Sequence, residues 1–169
     1  SVAFGADSTI YVAGRHAWDL AIVSINPDST VNWTYRKYST AGWDIINHAV
    51  VGSDGNVYAT GTFYDTVGFM NKFATLSVSP EGSERWFHKA NWDAQGTNIG
   101  YYITYGSDNN IYASGFIFEY GTRQNLAVVS YLSTGNYRFT YRHPSAAYSE
   151  DDCGYAVRYG PYGDVYVAG

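Results

Sequence analysis

One short motif occurs four times along this chain and constrains its fold more than any other feature. It has the form x-Tyr-x-x-Gly and ends at Gly14, Gly61, Gly115 and Gly169, with spacings of 47, 54 and 54 residues. A segment that recurs at such a period is one supersecondary unit that stacks against copies of itself. The chain is therefore expected to be a repeat protein with one architecture throughout.

Each repeat contains further segments in the same order, and all of them have the character of short strands. The segments LAIVSI, FATLSV and LAVVSY follow the motif, and each leads through a turn rich in Gly, Pro, Asp or Asn into a segment with an aromatic anchor. These anchors are Trp33, Trp86 and Phe139, which are 53 residues apart each time. Four short strands in a unit of about 50 residues are typical of β-propeller blades.

The predicted fold is therefore all-β, with β-propeller blades of four antiparallel strands. The chain is expected to form a single repeat region over 1–169 with about three and a half blades, either a partial propeller or an open repeat array. Counted to the closing glycine, the units are a half blade at 1–14 and repeats at 15–61, 62–115 and 116–169. Because the sequence opens and closes with the same half, we expect further blades from a longer chain or from other copies.

Hydrophobic patterning assigns different positions in a blade to the third and fourth strands. The third strand is apolar on both faces, which predicts burial between neighbouring blades. The fourth strand alternates, with aromatic residues on one face and polar or basic residues such as Arg36, Arg85 and Arg138 on the other. Basic side chains on an outer strand are expected to discourage pairing with other chains. A functional basic patch is the alternative interpretation.

Charge and hydropathy exclude two classes of partner. The net charge is −5, whereas a protein that binds nucleic acid through the phosphates needs a dominant basic surface. The chain has no apolar run long enough to span a bilayer, so no membrane insertion is predicted. The single cysteine, Cys153, cannot form a disulfide within the chain.

Two segments resemble known propeller repeats. The segment YSEDDCGYAVRYGPYGDVYVAG, residues 148–169, resembles the SBBP-type (seven-bladed β-propeller) repeats of bacterial and archaeal surface proteins. The turn SPEGSERW, residues 79–86, resembles the related quinoprotein-type propeller repeat. Phe139 departs from both patterns, because it replaces the Trp of the fourth strand, and this affects loop geometry rather than architecture. The resemblance implies a propeller fold and an extracellular or cell-surface location.

The sequence shows no residue pattern for catalysis or for cofactor binding. The four histidines, His16, His48, His88 and His143, lack the spacing of a metal site. Phosphate-binding, nucleophile-elbow and zinc-protease motifs are also absent from the sequence. We therefore predict no catalytic residue, no resident metal and no cofactor.

One polar position recurs 17 residues before three of the closing glycines, at Asp44, Asn98 and Asp152. Oxygen atoms at this position could bind a cation such as calcium. A short side chain that hydrogen-bonds its own turn is the more common role of such residues. The sequence alone leaves both interpretations open.

Aromatic residues in the predicted loops are the candidates for ligand or partner contacts. They are Trp18, Trp43, Trp92, Tyr38, Tyr120 and Tyr148. Aromatic faces in loops can stack on sugars or anchor a protein partner. Alternatively, these residues fill the junctions between blades.

The function predicted from these features is that of a non-catalytic β-propeller segment of a secreted or cell-surface protein. Such a segment acts as a scaffold or protein-interaction module in a larger or filamentous assembly. A carbohydrate-binding propeller that uses Trp18, Trp43 or Trp92 is one alternative. A propeller enzyme, such as a quinoprotein-like oxidoreductase or a hydrolase, is the other, because such enzymes assemble a central site from single residues of several blades.

Overall fold

The described residues fold into β-strands, as the sequence pattern predicts. A computed structural model describes residues 1–39, 42–66, 68–90, 96–119, 123–143 and 151–169, and these residues form fourteen β-strands and no helix. The described part of the chain accordingly contains no helix that could cross a membrane. The strands are β1 (Val2–Phe4), β2 (Ile10–His16), β3 (Asp19–Ile25), β4 (Val31–Lys37), β5 (Ile45–Val51), β6 (Val57–Asp65), β7 (Met70–Val78), β8 (Glu84–Lys89), β9 (Ile99–Tyr105), β10 (Asn110–Glu119), β11 (Arg123–Leu132), β12 (Tyr137–His143), β13 (Ala156–Tyr159) and β14 (Val165–Ala168).

Consecutive strands pair in antiparallel fashion into separate sheets. Blade one is β1-β2-β3-β4, blade two is β5-β6-β7-β8, blade three is β9-β10-β11-β12, and β13-β14 form a half blade. This arrangement confirms the all-β class and the four-stranded antiparallel blades of a partial propeller. The repeat units counted to the closing glycines are out of phase with the sheets. Residues 1–14 supply the first two strands of blade one, β2 pairs with β3, and β3 pairs with β4.

The cores lie between blades rather than within them. One cluster joins blades one and two and includes Leu20, Ile22, Val57 and Leu76, all fully buried. A second cluster joins blades two and three and includes Phe73, Ile103, Ile111 and Val129. The third strands β3, β7 and β11 are buried along most of their length, as the two-sided apolar pattern predicts.

The closing glycine of the repeat allows a close approach between the first and second strands. A side chain at Gly61 would overlap the carbonyl oxygen of Ile45, and one at Gly115 would overlap that of Ile99. The pairing register shifts at these points, which marks a β-bulge in each sheet. Glycine is needed at Gly61 and Gly115 because any β-carbon would collide with the bulged backbone.

A hydrogen-bonded relay holds the turn, the second strand and the fourth strand of blade two together. Asp54 accepts a 2.6 Å bond from the hydroxyl of Tyr58, and Arg85 donates to the same hydroxyl (3.1 Å) and to Ser77 Oγ (3.1 Å). Burial alone would raise the pKa of Asp54, but the hydrogen bonds from Tyr58 and Asn56 hold it below its usual value. Burial and the bond to Asp54 raise the pKa of Tyr58.

Blade three repeats this relay and blade one lacks part of it. Arg138 donates to the hydroxyl of Tyr112 (2.9 Å) and to Ser130 Oγ (3.0 Å). The charged groups of these arginines are therefore used inside the blade rather than displayed along its edge. In blade one Asn32 stands at the arginine position, and the hydroxyl of Ser24 is buried with no hydrogen-bond partner among the described residues.

Candidate functional site

Two of the predicted contact residues come together at one end of blade one. Trp18 lies in the two-residue turn between β2 and β3, and Trp43 lies just before β5. Their ring centroids are 5.0 Å apart at an angle of 51°, and the side chains are 54% and 64% exposed. The guanidinium carbon of Arg15 is 5.6 Å from the Trp18 centroid and 4.9 Å from the Trp43 centroid. We call Arg15, Trp18 and Trp43 the indole patch.

The backbone fixes the position of the indole patch. The amide of Asp44 donates a 3.0 Å hydrogen bond to the carbonyl of Trp18 and so joins the two loops. Ala17 adopts a φ of 54°, in the left-handed region that non-glycine residues seldom occupy. A tight hairpin turn thus presents Trp18 outward at the cost of an unfavourable backbone conformation.

A third exposed aromatic residue, Tyr38, follows β4 of the same blade. The guanidinium carbon of Arg36 is 5.0 Å from its ring, and Arg36 also forms a 2.7 Å ion pair with Asp19, next to Trp18 in the sequence. The remaining candidates, Trp92, Tyr120 and Tyr148, lie outside the described residues. Trp18 and Trp43 are more than half exposed, and they contact one another and Arg15 where blade one meets the segment that enters blade two.

The recurring polar position clamps strands together. Oδ1 of Asp44 accepts a 2.7 Å bond from the amide of Tyr64, and Oδ1 of Asn98 accepts a 2.8 Å bond from the amide of Phe118. Both acceptors are fully buried, and each partner lies 20 residues further along the chain. Asp44 thus bonds the end of the second strand as well as Ser39 of its own loop, and Asn98 makes the equivalent bond to the second strand. The first strand begins beside the end of the second strand, so the polar side chain reaches that strand.

The backbone of the same position links neighbouring blades. The amides of Asp44, Asn98 and Asp152 donate to the carbonyls of Trp18, Asn71 and Gln124, each at the start of the third strand of the preceding blade. Burial raises the pKa of the Asp44 carboxyl, although hydrogen bonds from Tyr64 and Ser39 act in the opposite direction. Within the described ranges, no three His, Cys, Asp or Glu side chains form a group that could hold a metal ion.

The fourth strands of blades one and two each contact the turn between the third and fourth strands of the next blade. Trp33 Nε1 donates to the carbonyl of Pro80 (2.7 Å), and Trp86 Nε1 donates to that of Ser133 (3.1 Å). His88, two residues after Trp86, has Nε2 2.8 Å from the carbonyl oxygen of Gly135. These junctions are formed by the turns between the third and fourth strands.

The corresponding face of blade three is open. Phe139 and Tyr141, which are equivalent to Trp86 and His88, are 39% and 53% exposed. Together with Val128, Val165 and Val167 they line a cleft of about 420 Å³. We call this set of five residues the third-blade face.

A further cluster on the innermost strands was missed by the sequence analysis. His48 of β5 stacks on Tyr102 of β9, with centroids 3.6 Å apart, and Arg158 of β13 donates a 3.0 Å bond to the hydroxyl of Tyr102. His48 and Tyr102 each lie four residues before a repeat glycine, Gly52 or Gly106. This shared position in the repeat is the sequence feature from which their contact could have been predicted.

The electrostatics of this cluster keep the imidazole neutral. Burial lowers the pKa of His48, and the positive charges of the N-terminus and Arg158 lower it further, against a hydrogen bond with the Ile103 backbone. Its Nδ1 is buried without a partner among the described residues. The neutral imidazole has one nitrogen that donates a hydrogen bond and one that accepts.

Comparisons with known proteins support the fold and assign no family. No protein-family model and no curated protein matches this sequence. A crystal structure of a protein of unknown function from Bacteroides caccae is similar, with a TM-score of 0.56 and 12% sequence identity over 99% of this chain. A gluconolactonase from Xanthomonas campestris matches with a TM-score of 0.46 and 13% identity, over 99% of this chain and 67% of its own. The chain spans about half, 51%, of the Bacteroides caccae protein, and what the two share at this identity is the fold alone.

Proposed function

We propose that this chain is a non-catalytic β-propeller segment of a secreted or cell-surface protein and acts as a protein-interaction module. It binds a further β-hairpin of the same repeat type, supplied by a longer chain or by another copy. The observation that carries the proposal is the third-blade face, an open cleft lined by aromatic and valine side chains beside β14, one edge of which has no partner strand among the described residues. The SBBP-type resemblance supports the location, because those repeats occur in surface proteins.

The strand edge of the half blade supplies main-chain recognition. The second strands β2, β6 and β10 each pair with a neighbour on both sides, whereas β14 pairs only with β13 among the described residues. A strand with free N–H and C=O groups along one edge is a template for another strand. The partner would therefore add to β14 as β7 adds to β6.

The third-blade face supplies side-chain recognition. Where blade one meets blade two, Gly82 lies so close to Trp33 that an added β-carbon would be 2.8 Å from the indole ring. Gly135 has the same relation to Trp86, where the distance would be 2.7 Å. A hairpin turn with glycine at this position can therefore pack against Phe139 in the same way. Phe139 is 39% exposed, so burial of the rest of its ring upon binding is worth about 0.6–1.2 kcal/mol.

A hairpin supplied as a separate peptide tests this proposal. A peptide with the sequence of residues 70–89, which forms β7, its turn and β8, is added to the protein, and complex formation is followed by native mass spectrometry and calorimetry. We expect a one-to-one complex. The protein variant Phe139→Ser should bind about 3–8-fold more weakly, because the apolar contact is lost.

The matched control is the same peptide with Gly82→Val, which cannot approach an aromatic ring closely. If both peptides bind equally, or if Phe139→Ser has no effect, the third-blade face does not recognise a repeat hairpin. Sedimentation at increasing protein concentration separates the two sources of the hairpin. Self-association that depends on Phe139 would identify another copy as the partner.

A further inference from the structure

The indole patch lies where the turn of blade one meets the segment that leads into blade two, but its residues do not recur in the other repeats. Asp44, Asn98 and Asp152 are equivalent, so Thr97 and Asp151 occupy the position of Trp43 in the other repeats. The turn that carries Trp18 in blade one is shorter than its counterpart between β6 and β7. The two indoles are thus specific to one junction, and a packing need shared by every repeat does not explain them.

The polar groups of the patch are available to a ligand. Trp33 and Trp86 donate their indole N–H groups to carbonyls, but the indoles of Trp18 and Trp43 have no acceptor within the described ranges. Arg15 lies over both rings and has no ion pair with any described residue. The aromatic faces hold the guanidinium in place without neutralising its charge.

We propose that Arg15, Trp18 and Trp43 form a binding site for a sugar that carries a carboxylate, such as a uronic acid unit of an acidic polysaccharide. The tilted indole rings offer apolar faces on which a pyranose ring can stack. The planar guanidinium of Arg15 matches a carboxylate in two parallel hydrogen bonds. The unbonded indole N–H groups can donate to hydroxyls of the same sugar. This site goes beyond the proposed function and uses none of the residues of the third-blade face.

Nuclear magnetic resonance can test the site directly, because the chain contains five tryptophans and each gives one indole N–H signal. Trigalacturonate is titrated into ¹⁵N-labelled protein, and its fully methyl-esterified form serves as the uncharged match. We expect the signals of Trp18 and Trp43 to shift with trigalacturonate while those of Trp33 and Trp86 stay in place. The ester should bind about ten-fold more weakly, because it forms no charge-assisted bonds with Arg15.

Variants separate the two kinds of contact. Trp43→Ala should weaken trigalacturonate binding about ten-fold through loss of stacking. Arg15→Gln should remove the preference for the acid over the ester and leave thermal stability unchanged, so the proposal does not depend on the folding of the tryptophan variant. Tyr162→Ala, at another exposed aromatic residue in the turn before β14, is the control and should bind like the unmodified protein.

Three outcomes would overturn the proposal. Equal binding of the acid and the ester would show that Arg15 does not bind the carboxylate of the sugar. Signal shifts away from Trp18 and Trp43 would place the site elsewhere. No binding of either sugar would mean that the indole patch is not a site for a sugar that carries a carboxylate.

Discussion

Replacement of Asp44 tests the strand clamp and its electrostatics together. The Asp44 carboxyl is fully buried, its Oδ1 accepts from the amide of Tyr64, and its Oδ2 has no partner among the described residues. Asn98 makes the same bond to Phe118 without a charge. Asp44→Asn therefore keeps the acceptor oxygen and removes the buried charge.

The effect of Asp44→Asn should depend on pH. Burial raises the folded-state pKa of Asp44 above the value of about 3.9 for an unfolded chain, so the folded protein binds the proton more tightly. The resulting stabilisation is fully present below the unfolded pKa and is lost as the pH rises through the folded pKa. At pH 7 Asp44→Asn should thus be more stable than the unmodified protein, by about 1.4 kcal/mol for each unit between the two pKa values. The advantage should vanish near pH 3.9.

Asp44→Ala separates the hydrogen bond from the charge. Compared with Asp44→Asn, it leaves the amide of Tyr64 without its acceptor, which costs about 1–3 kcal/mol. For a chain of this size the melting temperature should be lower than that of Asp44→Asn by about 2–12 °C. Urea denaturation between pH 4 and pH 7.5, followed by tryptophan fluorescence, measures both quantities. A destabilised Asp44→Asn at pH 7, or an Asp-to-Asn difference that is independent of pH, would refute the reasoning.

Two further predictions concern the repeat itself, and urea denaturation measures both. Gly61→Ala should destabilise the protein by about 1–3 kcal/mol or more, because the new β-carbon overlaps the carbonyl oxygen of Ile45. Gly14→Ala is its control, with no atom within 4 Å of the added carbon, and an equal loss there would contradict the steric explanation. Asn32→Arg should stabilise blade one by about 0.5–1.5 kcal/mol by providing the missing donor to Ser24. No gain in stability would mean that the relay of blades two and three does not transfer.

The strands and their grouping into blades were predictable because their signals are local. Alternation, turn residues and the repeat period specify which neighbours in sequence pair. The relay was visible in principle as well. Asp54 and Tyr58 recur as Asp108 and Tyr112, each pair followed by an arginine of the fourth strand. From the sequence, that arginine is predicted to protect the edge of the sheet. The alternation of polar and apolar residues indicates on which face a side chain lies, but not which group it hydrogen-bonds.

The site depended on contacts that no local pattern contains. Trp18 and Trp43 were recognised as loop aromatics. Their contact joins two loops and two residues that are 25 positions apart in the sequence, and the other repeats lack these tryptophans. The bond from Tyr64 to Asp44 likewise crosses from the second strand to the start of the first. The stack of His48 on Tyr102 joins two different blades.

The amino-acid sequence by itself determined the all-β class, the four-stranded blades and their number, because hairpin pairing is between segments that are adjacent in the chain. Only the tertiary structure decided which side chains meet at the blade ends and at the junctions. Those contacts depend on how twisted sheets pack face to face, and this packing brings together residues that are far apart in sequence. The indole patch and the third-blade face both arise at that level.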